Sequence, residues 1–352
     1  MQKTKILFFL PNLNGGGAER VTVNILRQID VKKFDISLLL VNKTGKFLEL
    51  IPSHIDILEC TSSKVSLSIL NVRKVILDIK PDIVYSTLFN ANIVVDLSLI
   101  GIKKRPKVIL RSPNSPKLVL ENKQISFIKK MLLERAYKNA YKIIAQTPEM
   151  KNEIIKYHHI HESKIAVFLN PIDTKLIKEK TKNIQNPFDT EFTNVVAAGR
   201  LTEQKGFDIL IESFKNVISK NKKFRLFIIG EGHLKKQFEN IIFKNNLENY
   251  IFLLGFQDNP YKYFYYSDLY VLSSIWEGLP NTVLENLYLQ KPIVATRCIP
   301  FMDNLIDNYK NGILVEPKDV ISLSDAILNY TLIDTSHSTL DFNLNELNSI
   351  FT

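Results

Sequence analysis

One repeating pattern governs the chain: short continuous runs rich in Ile, Val, Leu and Phe, separated by longer amphipathic stretches, and the scheme occurs twice. In the first half the runs are residues 6–10, 36–41, 83–85, 108–110, 143–145 and 165–169. In the second half they are 195–198, 226–229, 251–254, 269–272, 293–295 and 313–315. A strand buried on both faces has no polar side to alternate with, so such runs joined by helices predict parallel sheets covered on both sides. At 352 residues, 45% hydrophobic and 23% charged, the chain is too long for one ordinary core and is composed like a globular protein. Two Rossmann-like α/β domains are therefore expected. The break falls after Asn170-Pro171-Ile172-Asp173, giving domains at 1–172 and 193–335 joined by a linker at 173–192 rich in Lys, Asn and Thr. The weakly patterned tail at 336–352 has two open readings, a return to the first domain or partial disorder.

Several classes drop out early. Cys60 and Cys298 lie far apart without metal-ligand spacing, which excludes a disulfide scaffold or a zinc ribbon and predicts two buried small hydrophobes in a reducing cytosol. Lys3 and Lys5 ahead of the first apolar run imitate a signal peptide, but Pro11 breaks the run and no small-residue cleavage site follows. The longest apolar stretch, 91–102, falls short of the roughly 20 residues a spanning helix needs and carries Asp96. A cytoplasmic protein is expected, at most attached to a membrane surface.

The net charge of +10 is uneven. Residues 1–175 hold 28 Lys and Arg against 15 Asp and Glu, and 103–142 alone hold 12 basic side chains against Glu121 and Glu134. Within that stretch 125–140 reads as a helix, with Ile125, Ile128, Leu132, Ala136 and Ala140 on one face and Lys129, Lys130, Arg135 and Lys138 mostly elsewhere. Either the basic face is simply solvated, or it meets anionic lipid head groups or a phosphorylated acceptor. Nucleic acid is disfavoured, because no recognition motif and no interleaved aromatic platform accompany the charge.

Ligands of doubly wound sheets bind beyond the carboxyl ends of the strands, so the segments just after each run are where chemistry is sought. Asn14-Gly15-Gly16-Gly17-Ala18-Glu19-Arg20 opens a helix after the first run, where backbone amides can meet an anion. Neither this loop nor Gly230-Glu231-Gly232-His233-Leu234-Lys235 fits G-x-G-x-x-G, which disfavours a nicotinamide enzyme. Gly199-Arg200-Leu201-Thr202-Glu203-Gln204-Lys205-Gly206 places a planar cation and a point charge on a glycine-bounded loop, suited to a diphosphate. In Glu277-Gly278-Leu279-Pro280-Asn281-Thr282-Val283-Leu284-Glu285 two carboxylates bracket a helix start, suited to sugar or ribose hydroxyls on one side and phosphate on the other. His158, His159 and His161 lack H-E-x-x-H spacing, and no D-x-D occurs, so no metal site is expected.

Taken in order, Gly-Gly-Ala-Glu-Arg, Asn-Pro-Ile-Asp, Gly-Arg-Leu-x4-Lys-Gly, Gly-Glu-Gly, the segment Phe256-Gln257-Asp258-Asn259-Pro260-Tyr261 and Glu-x7-Glu resemble the retaining glycosyltransferases of family GT4, over about residues 5–320. The resemblance implies the GT-B fold, two Rossmann-like domains facing each other across a cleft. It implies a nucleotide-sugar donor, UDP-linked by preference, no cofactor and no metal. Arg200 and Lys205 would hold the donor diphosphate, Glu277 the donor sugar and Glu285 the ribose, with Phe256 near the base. Leu279, Asn281 and Thr282 would lie against the sugar and phosphates, and Gly16 and Gly17 against the diphosphate from the first domain.

The acceptor implied is a lipid-linked or other glycan, and the place the inner face of the cytoplasmic membrane, in capsule, O-antigen or lipopolysaccharide synthesis. Many relatives carry a histidine in the first-domain loop that here reads Arg111-Ser112-Pro113-Asn114-Ser115-Pro116, so Arg111 or Asn114 would substitute. Lys129 and Lys130 are the candidates for acceptor or membrane contact. Asn286-Leu287 stands where relatives have small residues, and the carboxyl tail looks abridged. The competing readings are a catalytically weak nucleotide-sugar-binding scaffold subunit and a nicotinamide oxidoreductase.

Overall fold

The structure, a computed structural model, describes residues 3–121, 123–335 and 348–351. Two compact units meet in sequence between Ile172 and Asp173, and each holds one all-parallel sheet. The first contains β1 (Thr4–Leu10), β2 (Phe34–Leu40), β3 (Asp56–Glu59), β4 (Ile83–Thr87), β5 (Lys107–Arg111), β6 (Lys142–Ala145) and β7 (Ile165–Val167), ordered β3-β2-β1-β4-β5-β6-β7. Leu7 and Phe9 of β1 enter one core cluster while Ile6, Phe8 and Leu10 enter another. Burial on both faces is why the run is continuous rather than alternating.

The second unit contains β8 (Thr193–Ala198), β9 (Phe224–Ile229), β10 (Ile251–Gly255), β11 (Leu269–Leu272), β12 (Ile293–Thr296) and β13 (Gly312–Val315), ordered β10-β9-β8-β11-β12-β13. Both sheets run outward in opposite directions from a central pair, β1 and β4 in one and β8 and β11 in the other. These pairs are the topological switch points, where a crevice opens beyond the strand ends.

Each expected apolar run became a strand, and β3 is an addition. It is a sheet edge whose Ile57 and Leu58 sit between two carboxylates and are only partly buried. The stretch expected as a linker is fastened to the second unit. Asp173 caps the helix Thr174–Lys180 by accepting from the Leu176 amide at 2.9 Å, and Leu176 and Ile177 are buried. Phe188 packs its ring 4.6 Å from that of Phe227, and Tyr266 Oη donates to the Ile184 carbonyl at 2.7 Å. A few apolar anchors in a polar segment suffice for this and leave no periodic trace.

The helix expected over 125–140 runs from Phe127 to Asn139. Its buried face is Leu133, Ala136 and Tyr137, whereas Ile128, expected inside, is 68% exposed. One turn of the apolar pattern therefore faces outward.

Of the tail at 336–352, residues 336–347 and 352 lie outside the described residues. Phe351 is buried in the first unit, with ring centroids 5.7 Å from Phe8, 6.1 Å from Phe34 and 5.9 Å from Tyr85. The Asp30 amide donates to Asn348 Oδ1 at 3.1 Å. Phe351→Leu is expected to cost about 1 kcal/mol through incomplete filling of this aromatic site, read as a lower urea midpoint. An unchanged midpoint would mean that the ring carries none of the first unit's stability.

Candidate active site

The second unit's switch point gathers three loops. After β8 the chain turns at Gly199, passes Arg200 and closes a short 3-10 turn, Glu203–Lys205, at Gly206. Gly206 has φ +58°, and a Cβ there would fall 2.3 Å from the Ser273 carbonyl oxygen of the loop after β11. Gly230, with φ +139°, would place a Cβ 1.9 Å from the Gly199 carbonyl oxygen. These two glycines are there because one loop backbone lies directly on another.

The loops are then sewn together by side chains. Ser273 Oγ donates to the Lys205 carbonyl at 2.8 Å, and the Ile275 amide to the Gln204 carbonyl at 2.8 Å. Lys205 Nζ forms an ion pair with Glu277 Oε1, and Ser274 Oγ donates to that oxygen at 2.7 Å. Gln204 Nε2 donates to Glu277 Oε2 at 3.2 Å and to the Trp276 carbonyl at 3.0 Å. Glu277 is only 8% exposed, so its charge is held by three donors rather than by water.

From Pro280 the helix Asn281–Tyr288 begins without a side-chain cap, and the positive end of its dipole stands two residues beyond the buried Leu279. Thr282 Oγ1 accepts from Tyr270 Oη at 2.6 Å, and burial pushes that phenol well above its ordinary range. Glu285, 5% exposed one turn into the helix, accepts from Tyr261 Oη at 3.1 Å. Burial, reinforced by the charge of Glu277, pushes the Cys298 thiol up to about 12. It stays protonated near neutrality and supplies no nucleophile.

Lys205 and Glu277 are thus brought into direct contact, and Thr282 and Glu285 share one helix. Arg200 is exposed on the loop after β8, and Phe256 follows β10 half-buried. Ser274, Gln204, Tyr261 and Tyr270 were not picked out from the sequence, although Gln204 and Tyr261 stand inside the segments quoted from Gly199 and from Phe256. Their roles come from pairing across loops, which spacing along one segment does not reveal.

In the first unit, Gly16 is the N-cap of the helix Gly17–Gln28, and a Cβ on it would lie 2.2 Å from Glu19 Oε2. A carboxylate of the first turn therefore lies beside the helix start that was expected to meet an anion. Arg111 ends β5 with only 3% exposure, donating to Asn170 Oδ1 and, at 3.5 Å, to Thr87 Oγ1. Asn114 is exposed, and its carbonyl accepts from Ser112 Oγ at 3.0 Å. Lys129 is exposed, whereas Lys130 Nζ donates to the Leu120 carbonyl.

The three histidines diverge. His161 Nδ1 meets Ser163 Oγ at 2.8 Å, His159 sits at φ +52° after a helix end, and His158 is buried edge-on to Tyr137 with neither ring nitrogen hydrogen-bonded. Among the described residues no group of three His, Cys, Asp or Glu is placed to hold a metal ion. Burial pushes His158 down to about 4, with the charges of His159 and Lys138 lowering it further against Glu134. Its folded pKa lies below the ordinary ~6.5, so the unfolded chain binds more protons and stability falls as pH drops through that window. The expected loss is about 1 kcal/mol between roughly pH 7.5 and roughly pH 5.5. Urea midpoints should show it, and His158→Phe should flatten it; an equal slope in that variant would clear His158 of the effect.

The unit is a doubly wound α/β fold whose switch point, where such folds bind their ligands, holds a buried Lys–Glu pair beside a helix start. Comparison with known proteins fixes the family. Residues 15–176 match the family described as Glycosyltransferase Family 4, and residues 178–338 match Glycosyl transferases group 1. The chain is a GT-B-fold glycosyltransferase homologous to the GT4 family.

An uncharacterized glycosyltransferase of Methanocaldococcus jannaschii is 35% identical over 244 residues, 64% of this chain and 58% of that protein, so the match spans under two thirds of its length. The N-acetylgalactosamine-N,N'-diacetylbacillosaminyl-diphospho-undecaprenol 4-alpha-N-acetylgalactosaminyltransferase of Campylobacter jejuni is 26% identical, covering 90% of this chain and 86% of its own. The Anabaena HepE structure in complex with UDP and glucose superposes with TM-score 0.81 at 19% identity, covering 99% of this chain and 98% of that one.

Proposed function

We propose that the protein transfers a sugar, with retention and without a metal, from a UDP-sugar to a lipid-linked glycan acceptor at the inner face of the cytoplasmic membrane. The observation that carries this is the Lys205–Glu277 pair, buried at the switch point next to the helix that bears Thr282 and Glu285. In the reaction the bond from the sugar's anomeric carbon to the diphosphate oxygen breaks, and the acceptor hydroxyl bonds to that carbon on the same face. The leaving phosphate takes the acceptor proton. Arg200 and Lys205 offset the charge that develops on the diphosphate, and the uncapped helix start adds its dipole. In this reading Glu277, fixed by Lys205, Ser274 and Gln204, accepts from sugar hydroxyls, and Glu285 from the ribose. The polyprenyl diphosphate in the name of the Campylobacter relative and the basic first half both support the acceptor reading.

Calorimetric titration with UDP, GDP and NADH tests it. UDP is expected to bind, and Glu285→Ala to weaken it about tenfold to a hundredfold, the worth of one or two hydrogen bonds to a carboxylate. Binding of NADH alone would overturn the reading. UDP binding without turnover on any acceptor would favour a scaffold subunit instead.

A further inference from the structure

We infer that Arg111 anchors a second anion site, in the first unit, which takes a phosphoryl group of the acceptor. The inference rests on the proposed reaction only for the source of the phosphate; that an anion binds there rests on the charge itself. Arg111 ends β5 with 3% exposure, in register with Thr87 at the end of β4. A guanidinium keeps its proton throughout the physiological range, so it cannot stand in for a histidine as an acid or a base. What it can do is hold an anion. Among the described residues no carboxylate forms an ion pair with it.

A cation taken out of water keeps its desolvation cost unless an opposite charge offsets it, which is why buried charges are normally paired. Burial is the main influence on Arg111 and pushes its pKa down. The groups it touches are neutral. One arm of the fork donates to Asn170 Oδ1, and the other reaches Thr87 Oγ1 at 3.5 Å, beyond the usual range of such bonds. Tyr85, two residues before Thr87 on the same face of β4, is fully buried and close enough to Arg111 for their charges to interact. Its hydroxyl makes no hydrogen bond, and the Thr22 hydroxyl beside it does not complete one. Burial pushes that phenol up to about 12, so it keeps its proton and remains a donor. A weakly engaged guanidinium arm and an orphaned phenol are both donors, and one acceptor would satisfy them together.

These donors stand at strand ends beside the first unit's switch point, where a doubly wound sheet receives its ligand. The loop after β5 is braced by other groups. The Ser112 amide donates to the Ile144 carbonyl at 3.0 Å, Gln146 Nε2 donates to the Ser112 carbonyl at 2.8 Å, and Glu153 accepts from Ser115 Oγ and from the Lys117 amide. The guanidinium is thus not needed to hold that loop. Its planar fork matches the paired oxygens of a phosphate, and the relative from Campylobacter carries a diphosphate-linked acceptor in its name.

The test uses the full chain with UDP in excess, so that a donor site is not open to the probes. Inorganic pyrophosphate should raise the urea midpoint of the parent more than that of Arg111→Met, which deletes the charge and keeps an unbranched side chain. In calorimetry geranyl diphosphate, a soluble prenyl diphosphate, should bind Arg111→Met about tenfold to a hundredfold more weakly, the worth of one charge-assisted contact. Tyr85→Phe should weaken it several-fold without lowering the ligand-free midpoint, because the hydroxyl it removes is unpaired. Arg111→Lys keeps the charge without the fork and should fall between parent and methionine variant; it serves if the latter does not fold. Titrated separately, UDP should bind parent and Arg111→Met alike.

Equal midpoint shifts and equal affinities in parent and Arg111→Met would overturn the inference and leave Arg111 as a strut for Asn170. So would a parent that binds neither probe. A loss of UDP affinity in step with that of geranyl diphosphate would also overturn it, by assigning the guanidinium to the donor. A parent that fails to bind UDP yet shows the Arg111-dependent shift would sink the proposed reaction and keep the anion site, so the two failures are read separately.

Discussion

Lys205→Ala should lower turnover by about a hundredfold to a thousandfold while leaving UDP affinity much less changed. The asymmetry follows from where the charge is needed. A group that meets the diphosphate as its leaving charge develops acts on the transition state more than on the bound nucleotide, and losing one such donor typically costs about 3–4 kcal/mol of barrier. Stability falls with the loss of the counter-charge, but the fold should survive, because Glu277 keeps Ser274 and Gln204 as donors. Lys205→Arg should not rescue. The Lys205 stem lies against Gly199, where a Cβ would come within 2.9 Å of Cε, and a guanidinium is a broad planar fork rather than the compact point charge that Lys205 sets on Glu277. Initial rates with a UDP-sugar, set beside calorimetry, check both parts. Near-normal turnover in Lys205→Ala would remove Lys205 from the chemistry.

Much of this site was legible because its elements are local. Gly199 to Gly206 and Glu277 to Glu285 are single segments that follow strands, and strand ends can be read from continuous apolar runs. The partners that give those segments their meaning were not legible. Gln204 and Ser274 are ordinary polar residues until folding places both on Glu277, and Tyr261 gains its role only when its hydroxyl reaches Glu285. The same limit acted on the fold. β3 escaped because an edge strand needs only Ile57 and Leu58; the return of the tail was one of two readings, but Phe351 was not singled out, because one aromatic after a polar stretch has no period. Helical spacing put Ile128 inside with Leu132 and Ala136, yet the element starts at Phe127, and its first turn stands clear of the core that Leu133 and Ala136 join. Periodicity reports which side chains share a stripe, and contact with the sheet decides how far along the helix that stripe is covered.

Glu277→Ala should strongly destabilise the second unit, because it strips the counter-charge from a largely buried ammonium. Removing one partner of a buried pair costs about 3–5 kcal/mol, since the remaining ion keeps its desolvation penalty without its Coulomb gain. The same substitution removes the carboxylate proposed to hold the donor sugar, so stability and turnover fall together and neither alone identifies the role. The double variant Lys205→Met, Glu277→Gln separates them. It leaves no unpaired charge, and the new amide oxygen can still accept from Ser274, so the urea midpoint should recover most of the loss seen with Glu277→Ala. Turnover should stay at or below the level of Lys205→Ala, because stability is recovered only by deleting both charges the reaction uses. Recovery of turnover together with stability would mean that the pair is a structural clasp between the loops after β8 and β11, and that the chemistry lies with other residues.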